Sequence, residues 1–231
     1  QAGRHSVDVI QANGYTVDRA GIVGDDGASH NGIFDIAFLR SLPKMVVMAP
    51  KDENELQHML FSALDSSGPV ALRYPRGGSG QEIKLESEMR RIEIGTAETV
   101  YHSADKSGNK IGLIAIGSMV YPAIQAAKLL EKQGAAVEVL NARFIKPLDK
   151  AAIKDLCSSS SLIVTVEEGV LEGGFGSAIL ELLEEEKIKT DVFRIGLPSA
   201  FIEHGRRDDI LEKYGLSPEK IFQLVSRRMD K

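Results

Sequence analysis

Arg19, Asp26 and His30 fall within one glycine-rich segment, residues 18–35, reading DRAGIVGDDGASHNGIFD. A guanidinium grips a phosphate or carboxylate through paired hydrogen bonds, and a carboxylate accepts from a hydroxyl. An imidazole moves protons near neutral pH. The segment has neither helical nor strand periodicity, so it cannot hold itself by burying a face; it is expected to be a loop fixed by its surroundings. Glycines 21, 24, 27 and 32 let its backbone approach a ligand or take positive φ. The expected chemistry is an anion clamp beside a proton-handling group.

A second group of interest is Arg73-Tyr74-Pro75-Arg76-Gly77. It follows an apolar run and would stand at the carboxyl end of a parallel strand, where open α/β sheets place their ligand crevices. Pro75 stiffens the backbone and Gly77 permits a turn, so Arg76 would be presented rigidly for bidentate capture of an anion. The bland alternative is that Arg73 and Arg76 pair with surface carboxylates. Arg19 would occupy the equivalent end of a neighbouring strand, and the two arginines could converge on one anion. Arg19 could equally pair with Asp18, Asp25 or Asp26, and His30 could serve only to stabilise its loop.

Other titratable groups suggest less. His5, His58, His102 and His204 share no metal-ligand spacing with one another or with Cys157, and no metal site is expected. Glu167-Glu168-Gly169 with Gly173-Gly174-Phe175-Gly176 superficially resembles a dinucleotide turn, but its spacing is wrong and its glutamates would repel a pyrophosphate. It reads as a close-packed helix start carrying a carboxylate pair, with a subunit interface as one possible setting. Cys157 reads as a structural thiol.

The elements that must position these groups alternate between helix and strand. Helical spacing covers 35–42, 52–64, 118–133, 148–156, 174–183 and 218–229; apolar strand runs cover 45–49, 69–74, 111–116, 137–140, 162–166 and 192–195. Asp52 is a candidate N-cap, with Glu55 where a capping-box acid would sit. Ser217 and Pro218 mark the start of the last helix. Residues 13–17 are too short and polar to read as the buried strand that should precede the 18–35 loop. The polar stretch 78–91, opened by Gly77, Gly78 and Gly80, is the expected linker. The expected fold class is α/β, with two mostly parallel-sheet domains: 1–77, then the linker 78–91, then 92–231.

The composition agrees. In 231 residues, 43% are hydrophobic and 26% charged, the balance of a soluble globular protein, and the net charge of −5 argues against a nucleic-acid partner. A single cysteine excludes an internal disulfide and fits a reducing compartment. No apolar stretch is long enough to span a bilayer and no signal peptide is visible, so the expected location is cytoplasmic, away from membranes.

DRAGIVGDDGASHNGIFD and RYPRG together resemble the 1-deoxy-D-xylulose-5-phosphate synthases, thiamine-diphosphate enzymes of the transketolase superfamily. FLRSLPKMVVMAPKDENEL, NARFIKPLD, TVEEGVLEGGFGSAIL and GLPSAFIEHG extend the resemblance nearly to the C-terminus. It departs at Ser199, where the family carries Asp, and at Ser29, where Thr is common. Residues 1–17 match poorly. The resemblance implies a partial pyrimidine-binding domain, a transketolase C-terminal domain, and an enzyme that joins pyruvate, with loss of carbon dioxide, to D-glyceraldehyde 3-phosphate. On matching positions, Arg19 and Arg76 would bind the acceptor's phosphate, Asp26 would contact its hydroxyl or aldehyde end, and His30 would assist proton transfer or orient the intermediate. Thiamine diphosphate and Mg2+ would be anchored by an N-terminal domain of the same enzyme, with no cofactor- or metal-binding residue in this chain. The chain is thus expected to be a fragment of a homodimeric enzyme, inactive by itself. Transketolases, 2-oxo-acid dehydrogenase β-type subunits and a non-catalytic dimerisation module are the alternatives.

Overall fold

The computed structural model describes residues 7–10, 14–24, 26–104 and 110–229. Its strands form two five-stranded sheets, so the α/β class with two mostly parallel sheets holds. The first sheet contains β1 (Val7–Ile10), β2 (Gly14–Val17), β3 (Val46–Met48), β4 (Val70–Arg73) and β8 (Phe144–Lys146), in the order β1-β2-β4-β3-β8. β2, β4 and β3 run parallel, with antiparallel β1 and β8 at the edges. The second sheet contains β5 (Glu98–His102), β6 (Lys110–Ala115), β7 (Ala136–Asn141), β9 (Leu162–Val170) and β10 (Asp191–Leu197), in the order β10-β9-β6-β7-β5. All its pairings are parallel except that of the edge strand β5 with β7.

The helices follow the apolar spacing closely. α2 (Glu53–Leu64), α3 (Val120–Lys132), α4 (Lys150–Ser158), α5 (Phe175–Glu185) and α7 (Pro218–Met229) lie where periodicity places them, and α1 (Asp35–Leu39) stops short of Pro43. In α3, Val120, Ala123, Ala126, Ala127 and Leu130 form the buried stripe. Asp52 caps α2 by accepting the N–H of Glu55 at 2.8 Å. Glu55 does not close a capping box onto Asp52. Its buried carboxylate instead accepts the N–H of Lys51 and reaches across to Asn141 and Arg143 of the second sheet's side.

Residues 14–17 do form a strand, correcting the sequence expectation. β2 is specified by its neighbours rather than by its own pattern: it pairs with β1 on one side and β4 on the other, from Gly14 opposite Val70 to Val17 opposite Arg73. The edge strand β1 was likewise not foreseen, nor were β5, β8 and α6. β8 leaves the second half of the chain to pair with β3, and Phe144 joins the core of the first sheet beside Met48, Met59 and Leu72. β5 is a half-exposed edge, and α6 (Arg207–Lys213) buries only Ile210 and Leu211.

The stretch expected as a linker, 78–91, contains no helix or strand and runs along α2. Asn54 and Gln57 donate to the carbonyls of Lys84 and Glu86, while His58 accepts the N–H of Arg90 through Nδ1. Ser62 accepts the N–H of Ile92, which packs into the first sheet's core.

Candidate active site at the ends of β2 and β4

The parallel ladder of β2 and β4 continues past both strands and sets the site. Tyr74 donates its N–H to Val17 O and Ala20 donates to Tyr74 O, each at 3.0 Å, so Arg19 and Arg76 leave neighbouring strand ends side by side. Arg19 has φ 63°, a left-handed conformation that a non-glycine residue keeps only when its surroundings impose it. Gly32 helps impose it by donating to the carbonyls of Arg19 and Gly21. A Cβ on Gly32 would lie 2.5 Å from Arg19 O, so only glycine closes the loop this tightly.

Arg19, Asp26 and Arg76 meet. Asp26 Oδ2 lies 2.6 Å from Arg76 Nη1 and 3.4 Å from Arg19 Nη1. The hydrogen bond from Arg76 holds the Asp26 carboxyl below its usual range against the opposing effect of burial; the charges of Arg76, Arg19 and His30 add to the lowering. His30 lies in a 3-10 turn, Ala28–His30, with its Nδ1 3.2 Å from Ser29 Oγ. Of the partners considered for Arg19, Asp26 is the one in contact; Asp25 lies outside the described residues.

A cavity of about 430 Å³ opens beside the two arginines. Asp18, Lys51, Asp52, Glu53, Tyr74 and Ser79 also line it, whereas Asp26 and His30 do not. The sequence predicts no site role for the KDEN segment, in which Asp52 is a candidate N-cap. Its position just after β3 is the signal that could have placed Lys51, Asp52 and Glu53 at the strand ends. Glu53 is occupied by the N–H and hydroxyl of Ser79, and Asp52 Oδ2 accepts from Tyr121 OH at 2.8 Å. Asp18 Oδ1 is buried and without a hydrogen-bond partner among the described residues.

Arg73 is not a surface group. It is 3% exposed and donates from Nε to the equally buried Asp35 at 2.8 Å, with Nη2 reaching the carbonyls of Gly32 and Glu168. It therefore braces the loop from behind rather than facing the cavity.

Glu167 and Glu168 are both buried within the chain, so neither needs a second subunit to cover it. Glu167 accepts the N–H groups of Phe175 and Gly176 at 2.7 Å and so caps α5. Burial nonetheless pushes its carboxyl up to about 7, against the lowering by those two bonds. The glycine-rich turn is close-packed, as expected: a Cβ on Gly174 would lie 2.1 Å from Val170 O and 2.4 Å from Glu167 Oε2. It leaves no room for a diphosphate. Among the described residues, no cluster of three or more His, Cys, Asp or Glu is arranged to hold a metal ion, and no helix is long and apolar enough to cross a membrane. The glycine-rich turn is therefore not where the diphosphate implied by the sequence motifs would be anchored.

Comparison with known proteins agrees with the fold. The family model for the transketolase pyrimidine binding domain matches residues 2–80, and that for the transketolase C-terminal domain matches residues 101–221. The first match begins well before residue 17, correcting the expectation that the opening residues stand apart. The chain is 49% identical over 216 residues, 94% of its length, to 1-deoxy-D-xylulose-5-phosphate synthase of Heliobacterium modesticaldum, and covers 32% of that protein. It is 48% identical over 212 residues, 91% of its length, to 1-deoxy-D-xylulose-5-phosphate synthase 1 of Geobacter metallireducens, covering 33%. It thus spans about a third of the length of these curated relatives. Among solved structures, a split-gene transketolase described as an inactive beta4 tetramer superposes with TM-score 0.78 at 30% identity, covering 93% of this chain and 65% of that one. The transketolase of Campylobacter jejuni subsp. jejuni shares the fold at TM-score 0.63 and 22% identity, over 93% of this chain and 31% of that one.

Proposed function

The chain belongs to the transketolase family, and we propose that it is the acceptor-binding part of a 1-deoxy-D-xylulose-5-phosphate synthase, which condenses pyruvate with D-glyceraldehyde 3-phosphate and releases carbon dioxide. The observation that carries this reading is the convergence of Arg19 and Arg76 on Asp26 beside the cavity. Two guanidiniums from adjacent strand ends attract a phosphate dianion more strongly than one carboxylate, so the acceptor's phosphate takes over the arginines and frees Asp26. Asp26 then accepts from the acceptor's hydroxyl or aldehyde end, and His30 moves a proton or holds the reacting group in line. Holding the phosphate fixes the acceptor's orientation, which converts binding into rate.

The family's cofactor supplies the carbanion chemistry, and its diphosphate and magnesium are held by residues outside those described, in an N-terminal domain of the same enzyme. The chain divides at the linker 78–91, works in a cytoplasmic homodimer, and is inactive without the cofactor-binding residues.

The test is a steady-state assay of the full-length protein with thiamine diphosphate and Mg2+. Condensation of pyruvate with glyceraldehyde 3-phosphate, with equimolar carbon dioxide, is the expected result. Turnover of a ketose-phosphate donor in place of pyruvate would assign the protein to the transketolases proper and overturn the proposal.

A further inference from the structure

The strand order of the second sheet reverses between β6 and β9: the chain passes from β6 to β7 on one side and only later to β9 on the other. In an open parallel sheet, the crevice at the carboxyl ends of such a strand pair is where a ligand sits. Here the protein's own 18–35 loop fills it. Glu168, on β9 and 1% exposed, accepts the N–H of Ile22 through Oε1 at 2.8 Å. Its Oε2 accepts from Ser118 Oγ, just past β6, and from Arg207 Nη2, each at 2.5 Å. A Cβ on Gly21 would lie 2.5 Å from Glu168 Cδ, so the loop's backbone rests directly on the carboxylate. The loop's returning arm is held by the same strand, since Val170 donates to Ile33 O at 3.0 Å.

We propose that Glu168 is a positioning residue for the acceptor site, and that the second domain uses its switch-point crevice as a clamp on the first domain's loop. The inference rests on the reading of Arg19, Asp26 and Arg76 as that site. Arg19 and Asp26 flank the two residues that Glu168 holds, Gly21 and Ile22. A buried carboxylate is tolerated only with its hydrogen bonds made, and here one of them belongs to the loop. Ser118 and Arg207 fix the carboxylate from the second domain's side, so loop geometry is set by residues that never approach the cavity. Freed from Glu168, the left-handed turn at Arg19 and Gly21 relaxes and the two guanidiniums separate.

In the full-length protein, Glu168→Gln keeps the side chain's size but turns one acceptor into a donor facing Ser118 and Arg207. It is expected to raise KM for glyceraldehyde 3-phosphate by about tenfold or more, to leave KM for pyruvate within about twofold, and to speed hydrogen exchange at the Ile22 amide. Ser118→Ala removes one donor only, keeps the fold, and is expected to move the same ratio in the same direction by less. Equal changes in both phosphorylated-acceptor and pyruvate KM, or an unmoved acceptor KM in both variants, would overturn the inference. Arg76→Ala assayed in parallel separates the two levels: if it raises the acceptor KM and the Glu168 and Ser118 variants do not, the clamp falls alone. If Arg76→Ala leaves it unmoved, the site reading falls and the clamp's stated role with it.

Discussion

Asp26 Oδ2 sits 2.6 Å from Arg76 Nη1, placing a carboxylate on one of the two guanidiniums that line the cavity. The same oxygen is 3.4 Å from Arg19, so one acidic side chain stands where an anionic ligand would be gripped by both. Asp26→Asn should therefore strengthen binding of inorganic phosphate to the protein while shifting its melting temperature little, because the pair is partly exposed. Titration of the two proteins with phosphate at constant ionic strength checks this. Weaker binding by the variant would mean that Asp26 does not compete with the anion.

The same contact predicts a titration. The Asp26 carboxyl is held below 3.8 chiefly by Arg76, so its ionised form is favoured by folding. Whatever stability the pair contributes is present above that value and is lost as pH falls through the lowered one. The carboxyl carbon resonance of Asp26 should titrate below 3.8 in the native protein and move up towards it in Arg76→Ala.

Arg73 and Asp35 form a buried pair, each 3% exposed and joined at 2.8 Å. Asp35→Ala leaves a guanidinium buried without its counter-charge and should cost about 3–5 kcal/mol in urea unfolding. Replacing both partners, as Arg73→Met with Asp35→Leu, should recover much of that loss. A double variant no more stable than Asp35→Ala would mean that the hydrogen bonds to Gly32 and Glu168 outweigh the charge pairing.

Glu167 predicts a pH dependence of opposite sign. Its carboxyl is pushed up to about 7 from 4.5, so between those values the folded protein retains a proton that the unfolded chain has released. Its contribution to stability is full below 4.5 and declines as pH rises towards about 7. Thermal melts across that interval should show a decline that Glu167→Gln flattens.

Cys157 is buried at the end of α4, and burial pushes its thiol up to about 11. The thiolate is the reactive form, so a thiol reagent at pH 8 should label the native protein slowly and the urea-unfolded chain rapidly. Equal rates would contradict the packing described for α4.

Which elements could be read from the sequence follows from where their stabilising contacts lie. β6, α3 and α7 carry their own apolar periodicity, and each was placed to within a residue or two. β2 and β8 owe their existence to partners distant in sequence, so their short polar or mixed segments gave no local signal. The site divides in the same way. Arg76 was legible as a strand-end cation because β4 carries its own apolar run, and Arg19 through the glycine-rich loop it opens; the ladder opposing Val17 to Arg73 is what brings them side by side. The braces behind them were not: Arg73 meets Asp35 across 38 residues and Glu168 meets Ile22 across 146, and neither spacing leaves a pattern.

The most direct measurement is the pair of KM values for Arg76→Ala in the full-length enzyme. Removing one guanidinium of the clamp should raise KM for glyceraldehyde 3-phosphate by about ten- to a hundredfold and leave KM for pyruvate nearly unchanged. Equal increases for both substrates would remove Arg76 from the phosphate site and contradict the proposed role of the Arg19–Asp26–Arg76 cluster.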